Sequence, residues 1–345
     1  MSNVSSGSRR DFLKQSLAGT ALLCASGRVE TLAAAEPVAA ESGAGGAKSR
    51  VVVARDDLLR GADSRVDSRR MLALLDRAMA ALFDRDHAAD HPAGPWRKLV
   101  RPGETVSLKV NTLGGRGIST NVLLVAAICE RLQEAGVRAG DIVIWDRDSN
   151  ELERVGFHLA IGGDRVQCYG TDRIGYEDNL SAYGSVGSLL SKILTQRSNV
   201  LINLPVLKDH DGAGVTIALK NMYGVIHNPN KYHPDGCNPY IADLNMLPEI
   251  RTRMRLTICD ATTAMYEGGP GYKPEHSWNA NSLLVSTDPV ALDHSGWQII
   301  ERKRAEKGLK TLEAEKRAPG YIATAADAEH RLGTNDPRKI SLVEV

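Results

Sequence analysis

A chain of 345 residues, 42% hydrophobic and 25% charged, has an ordinary globular composition and is long enough for one large α/β domain or two smaller ones. Its formal charge of +1 leaves no basic excess to neutralise phosphates, and three Phe and four Trp offer little stacking surface. Together these exclude a general nucleic-acid binder.

Residues 8–14, S-R-R-D-F-L-K, resemble the twin-arginine export signal at every fixed position of its S-R-R-x-F-L-K pattern. The apolar run that follows, 16–25, is too short for a stable transmembrane anchor. Ala33-Ala34-Ala35 supplies an A-x-A cleavage site before Glu36, and Leu23 is too bulky to make Cys24 a lipobox cysteine. Residues 1–35 are therefore expected to be a cleaved signal peptide and 36–49 a flexible linker rich in Ala, Gly, Glu and Ser. Residues 50–345 are expected to form a single α/β domain, located in the periplasm, with the twin-arginine export machinery as a partner. That route carries proteins already folded, often with a cofactor inserted.

Apolar runs and helical periodicities then alternate along the chain. A strand is expected at 51–54, a helix at 70–83, and a surface loop at 84–96 with solvated His87 and His91. A second strand, 105–111, runs through Lys109 to Asn111. Gly114-Gly115-Arg116-Gly117 leads to Ser119-Thr120-Asn121, which can cap a helix over 122–135 that stops at Gly136. A strand at 141–146 ends on Asp146. It is followed by a short helix at 151–160, a strand at 166–169, an irregular polar stretch at 176–187 and a helix at 188–196.

The central segment, 199–224, reads as a buried strand to Asn203, an interruption at Pro205 and a charged turn with Lys208, Asp209 and His210. A helix start carrying Thr216, Lys220 and Asn221 follows. Residues 227–239 (HNPNKYHPDGCNP) hold three Pro and read as a long functional loop or lid. Beyond it the pattern predicts a helix at 241–250, a strand at 256–260 closing on Asp260, a Gly/Pro loop at 266–274 and a strand at 283–286. Thr287-Asp288-Pro289 opens a helix that continues through Lys303, and a weak helix at 323–331 and a strand at 340–345 complete the reading.

Asn111, Asp146, Asn203 and Asp260 each end an apolar run. In a mostly parallel sheet the carboxyl ends share one edge, so these groups can converge on one cleft. Asp and Asn also begin turns after strands, but four together, beside Gly-rich turns, favour the cleft. The catalytic candidates are His210, which can move protons or bind a metal, with Lys208 and Lys109 to neutralise a small anionic substrate. Asn111, Asn203, Thr216, Lys220 and Asn221 are the ligand-binding candidates, and Asp260 and Asp146 would orient substrate or hold a metal ion. H-E-x-x-H, P-loop, G-x-G-x-x-G and G-x-S-x-G patterns are all absent. Cys129, Cys168, Cys237 and Cys259 include no C-x-x-C pair, so no iron–sulfur cluster or thiol-redox motif is encoded. Cys129 and Cys259 are expected to be buried thiols, and one disulfide stays open for an oxidising compartment.

Four stretches carry a family resemblance: S-L-K-V-N at 107–111, I-N-L-P-V-L-K-D-H at 202–210, G-V-T-I-A-L-K-N-M-Y-G at 214–224 and S-T-D-P-V-A-L-D at 286–293. Together they resemble the family called domain of unknown function 362, over roughly residues 51–297. Some of its members carry ferredoxin-type cysteine clusters. This chain lacks them, so the resemblance implies fold and export without electron transfer through such a cluster. The expectation is an α/β protein with a mostly parallel, mixed sheet, flanking helices and a ligand cleft at the carboxyl ends of the strands. It would act as an enzyme, redox-linked in one version, on a small anionic molecule. The alternative is a non-catalytic periplasmic protein that binds a metal or an anion.

Overall fold

A computed structural model describes residues 48–83 and 91–345; the twin-arginine motif, the cleavage site, most of the linker and His87 lie outside the described residues. The first six strands are β1 (Ser49–Arg55), β2 (Val106–Lys109), β3 (Ile142–Trp145), β4 (Gln167–Cys168), β5 (Ser181–Tyr183) and β6 (Val186–Ser188). They are followed by β7 (Val200–Asn203), β8 (Val206–His210), β9 (Gly214–Thr216), β10 (Met254–Met265), β11 (Ser277–Trp278), β12 (Ser282–Ser286) and β13 (Ile340–Glu344). The helices that matter below are α1 (Ser68–Leu82), α2 (Val122–Glu134), α3 (Ala218–Asn221), α4 (Tyr240–Met246), α5 (Pro289–Glu306) and α6 (Tyr321–Ala325).

Eleven of the described strands form one sheet, whose main path is β13-β1-β12-β10-β7-β2-β3-β4. Every pairing along the path is parallel except at β12, which runs antiparallel to both β10 and β1. This is the expected mixed, mostly parallel α/β sheet with flanking helices. Strand alternation sends neighbouring side chains to opposite faces. Val143, Trp145, Leu201, Cys259 and Leu284 pack with Ile241, Leu244, Leu292 and Ile300 on one face. Ile142, Ile144, Val200, Ile202, Ile258 and Val285 pack with Met71, Leu75, Leu124 and Ile128 on the other. Burial on both faces is why these runs read as continuously apolar.

The helix starts follow their sequence signals. Asn121 caps α2 by accepting from the Leu123 N–H, and Asp288 caps α5 by accepting from Val290 and Ala291, with Pro289 in the first turn. Gly136 after α2 takes φ 103°, a conformation that suits glycine at a helix stop. Among the described residues no helix is long and apolar enough to cross a membrane. The cysteines Cys129, Cys168, Cys237 and Cys259 are buried and free.

Three expectations need correction. Lys208-Asp209-His210 is not a turn but the end of strand β8, which forms a hairpin with β9 and runs parallel to the far part of β10. Residues 176–187 are not wholly irregular, because β5 and β6 pair there as a second hairpin. The helix expected at 323–331 is shorter and earlier, Tyr321–Ala325. Beyond α6 the chain is fixed by His330, whose two ring nitrogens lie in hydrogen-bond contact with Asp243 and Asp327, both at 2.9 Å.

Candidate functional site

Val106 and Leu108 of β2 enter one core, so alternation sends Ser107 and Lys109 to the opposite face. Lys109 aligns with Trp145 on one neighbouring strand and Asn203 on the other. Its Nζ lies 2.8 Å from Asp146 Oδ1 and donates to the Val110 carbonyl at 2.7 Å. Asp146 Oδ2 accepts from both the N–H and the hydroxyl of Thr112, each at 2.9 Å. A Cβ on Gly224 would stand 2.6 Å from Lys109 Nζ and 3.0 Å from Asp146 Oδ1, so glycine there keeps room for the ion pair.

Three amides continue the network. Asn203 Oδ1 accepts from Asn221 Nδ2 at 2.7 Å, and Asn221 Oδ1 accepts from Asn111 Nδ2 at 2.9 Å. Asn111 Oδ1 in turn accepts from Lys208 Nζ at 3.1 Å, and that ammonium also donates to the Pro270 carbonyl at 3.1 Å. Lys208 is 1% exposed, and burial pushes its pKa down to about 8, with Asp146 acting the other way. Across the hairpin it pairs with Thr216, whose buried hydroxyl has no hydrogen-bond partner among the described residues.

Lys220 completes the cluster. A ligand-binding candidate from the sequence, it is buried at the site. Its Nζ is 3.2 Å from His233 Nε2 and 3.8 Å from the Tyr223 ring centroid, and burial pushes it down to about 8. His233 Nδ1 lies 3.1 Å from the Pro229 carbonyl, which can only accept, so that nitrogen carries the proton and Nε2 is the acceptor toward Lys220. Among the described residues neither Lys208 nor Lys220 has a carboxylate within ion-pair distance, in contrast to Lys109.

His210 stacks on His233 with 5.7 Å between ring centroids. Its Nδ1 accepts from the N–H groups of Gly212 (3.0 Å) and Ala213 (3.2 Å), which leaves Nε2–H as a donor. Burial, then the charge of Lys220, push its pKa down to about 3. Both its hydrogen bonds and its lowered pKa favour the neutral form of His210.

Lys109, Asn111, Asp146, Asn203, Lys208, Lys220 and Asn221 thus come together, with Thr216 and His210 on the adjoining hairpin. Asp260 does not join them. It accepts from the Asn121 N–H at 2.6 Å and the Thr262 N–H at 2.8 Å, next to the start of α2. Asp146 and Asp260 were the metal candidates. Among the described residues no group of three or more His, Cys, Asp or Glu is arranged to hold a metal ion, and both carboxylates are satisfied by protein donors. An open cavity of about 670 Å³ lies elsewhere, over Val53, Leu207, Leu284 and Trp278. Its lining mixes Arg55, Arg302 and Lys303 with Asp57 and Glu306, and Arg55–Asp57 and Lys303–Glu306 form ion pairs there.

Two supporting residues were not among the site candidates. His233 sits in the Pro-rich segment with no periodic pattern to mark it. Asp293 of α5 accepts from the N–H groups of Ala218 (2.6 Å) and Leu219 (3.2 Å), anchoring the start of the helix that carries Lys220 and Asn221. This joins the T-I-A-L-K-N and S-T-D-P-V-A-L-D stretches. Burial holds Asp293 up at about 8, against the 3.8 of an ordinary aspartate. With a folded pKa above the unfolded one, the native state keeps a proton that the unfolded chain releases. Its contribution to stability is full below pH 3.8 and is lost as pH rises toward about 8. Asp293→Asn should flatten that slope in a urea-denaturation series across this range. An unchanged slope would mean that Asp293 is ionised in the folded protein.

A mixed α/β sheet with a buried Lys–Asn–His cluster at its strand ends defines the class of protein. The chain belongs to the family described as Domain of unknown function (DUF362), whose model matches residues 106–298, a span that includes each of the site residues named above. A thylakoid-associated protein of Synechocystis sp. is 27% identical over 266 residues, 72% of this chain and 78% of that protein. A crystal structure of a protein from Thermotoga maritima matches at 10% identity and TM-score 0.41, covering 68% of this chain and 58% of that one. The chain therefore spans little more than half of that protein, and a likeness at this level carries no argument.

Proposed function

We propose that the protein is exported by the twin-arginine route and acts in the periplasm as an enzyme on a small anionic molecule held by Lys208 and Lys220. One observation carries this reading: among the described residues two buried lysines have no carboxylate within ion-pair distance, and the Thr216 hydroxyl, across the hairpin from Lys208, has no hydrogen-bond partner. Burying uncompensated charge is costly unless a ligand supplies the opposite charge. Proton transfer falls to the Lys220–His233 pair, because Lys220 titrates near neutral pH and His210 does not.

Thermal denaturation with a panel of phosphate, sulfate, oxalate and 2-oxo acids tests the site. At least one anion should raise the midpoint of the wild-type protein and leave that of Lys208→Met unchanged. Equal shifts in both proteins, or none in either, would remove the assignment. For export, replacing Arg9 and Arg10 by Lys should retain the protein in the cytoplasm, read by cell fractionation. A second reading, a non-catalytic anion-binding protein, is favoured by the near-complete burial of Lys208 and Lys220. It predicts stoichiometric capture without turnover.

A further inference from the structure

The three buried lysines have different neighbours, and the difference has chemical meaning. Lys109 faces a carboxylate, Asp146, which holds it as an ammonium. Lys208 donates to two oxygen acceptors, Asn111 Oδ1 and the Pro270 carbonyl, which do the same more weakly. Lys220 alone faces the lone pair of an imidazole, His233 Nε2, and the ring of Tyr223. A neutral amine at Lys220 can donate one N–H to His233 and keep its own lone pair free.

The chain accepts backbone strain to hold that imidazole. Asp235, Gly236 and Cys237 are successive residues at φ 53°, 67° and 60°, and a non-glycine residue there costs roughly 1 kcal/mol or more. This turn brings the Cys237 thiol to 3.7 Å from the His233 carbonyl, to which it donates, while Pro229 fixes the ring from the other side. His233 is thus held at both its backbone and its ring.

We propose that Lys220 is a nucleophilic amine and that the molecule bound is a small carbonyl compound bearing an anionic group, a 2-oxo acid, with Lys208 and Thr216 holding the carboxylate. This rests on the anion-site reading above and names its substrate class. The Lys220 nitrogen lone pair forms a bond to the carbonyl carbon while the carbonyl π pair moves to oxygen. That oxygen takes one proton from the nitrogen and one from solvent and leaves as water, so the product is a protonated imine and no oxidant or reductant is needed. A lysine that is desolvated and close to a second cation is the ordinary form of such an amine. Lys220 meets the first condition: it is buried, burial lowers its pKa, and its Nζ faces an imidazole and an aromatic ring.

The test incubates the full protein with pyruvate, glyoxylate or 2-oxoglutarate, reduces it with sodium borohydride and maps the modified peptides by mass. Lactate, which has no carbonyl to attack, is the control. The expected result is borohydride-dependent attachment of at least one 2-oxo acid at Lys220, increasing as pH rises through about 8. Attachment should be lost in Lys220→Arg, whose fold is checked by its melting curve, and reduced in Lys208→Met. If a 2-oxo acid and lactate both raise the melting midpoint but no adduct forms at Lys220, the amine proposal is overturned and the anion site survives. If no acid binds and no adduct forms, both fall. Adducts spread over surface lysines with none at Lys220 would also overturn it.

Discussion

Replacing Lys208 by Met should make the protein more stable and abolish its anion binding in the same step. The ammonium is fully enclosed, and its pKa has dropped from 10.5 to about 8. Holding it charged near neutral pH costs roughly 3 kcal/mol in the ligand-free protein. Met keeps much of the volume and removes the charge. Against this, Asn111 Oδ1 and the Pro270 carbonyl each lose a donor, at about 1 kcal/mol apiece. A net gain of about 1 kcal/mol should appear as a higher urea midpoint with an unchanged slope. The pH dependence gives an independent check. With its folded pKa depressed, wild-type Lys208 binds fewer protons than in the unfolded chain, so wild-type stability should climb from about pH 8 toward 10.5. The variant should show a smaller rise, because Lys220, also pushed down to about 8, keeps its own share. A variant less stable than the wild type would mean that the charge is already compensated inside the fold.

Lys109→Met should do the opposite, although Lys109 is just as deeply buried. Its removal leaves Asp146 as an enclosed carboxylate with only Thr112 and the Arg147 N–H as donors among the described residues. Breaking one side of a buried pair typically costs about 3–5 kcal/mol, because the remaining charge has no counter-ion. Adding Asp146→Asn should recover part of the loss, since the amide oxygen can still accept from Thr112. The double-mutant cycle then isolates the coupling. A loss under about 1 kcal/mol for Lys109→Met, within the range of an exposed pair, would show that water reaches Asp146. Two lysines in one cluster therefore have opposite signs in stability, set by whether a carboxylate faces them.

Much of the fold was legible because the strands are buried on both faces and stand out as short apolar runs between turn residues. Lys109, Asn111, Asp146 and Asn203 could be grouped because a parallel sheet gathers strand ends. Asp260 broke the rule for a clear reason: β10 does not stop there but runs from Met254 to Met265. That places Asp260 mid-strand, next to the start of α2 rather than in the lysine cluster. The Lys208–His210 strand was hidden because a buried polar strand looks like a turn by hydropathy. Its charges are met by groups distant in sequence, Asp209 by Arg317 and by the Gly269 N–H. The roles of His233 and Asp293 were illegible for the same reason, since their partners become visible only after folding.

The stretch after α5 also sets where this protein can be cut. The family match stops at residue 298. Yet Arg317 pairs with Asp209, Tyr321 donates to Asp293, and His330 bridges Asp243 and Asp327. Asp209, Asp293 and Asp243 are all buried carboxylates inside the matched span. A chimera spliced at the family boundary would leave each of them short of a donor, including the one that anchors Lys220's helix. Any graft of this site onto a relative has to carry residues 299–330 with it.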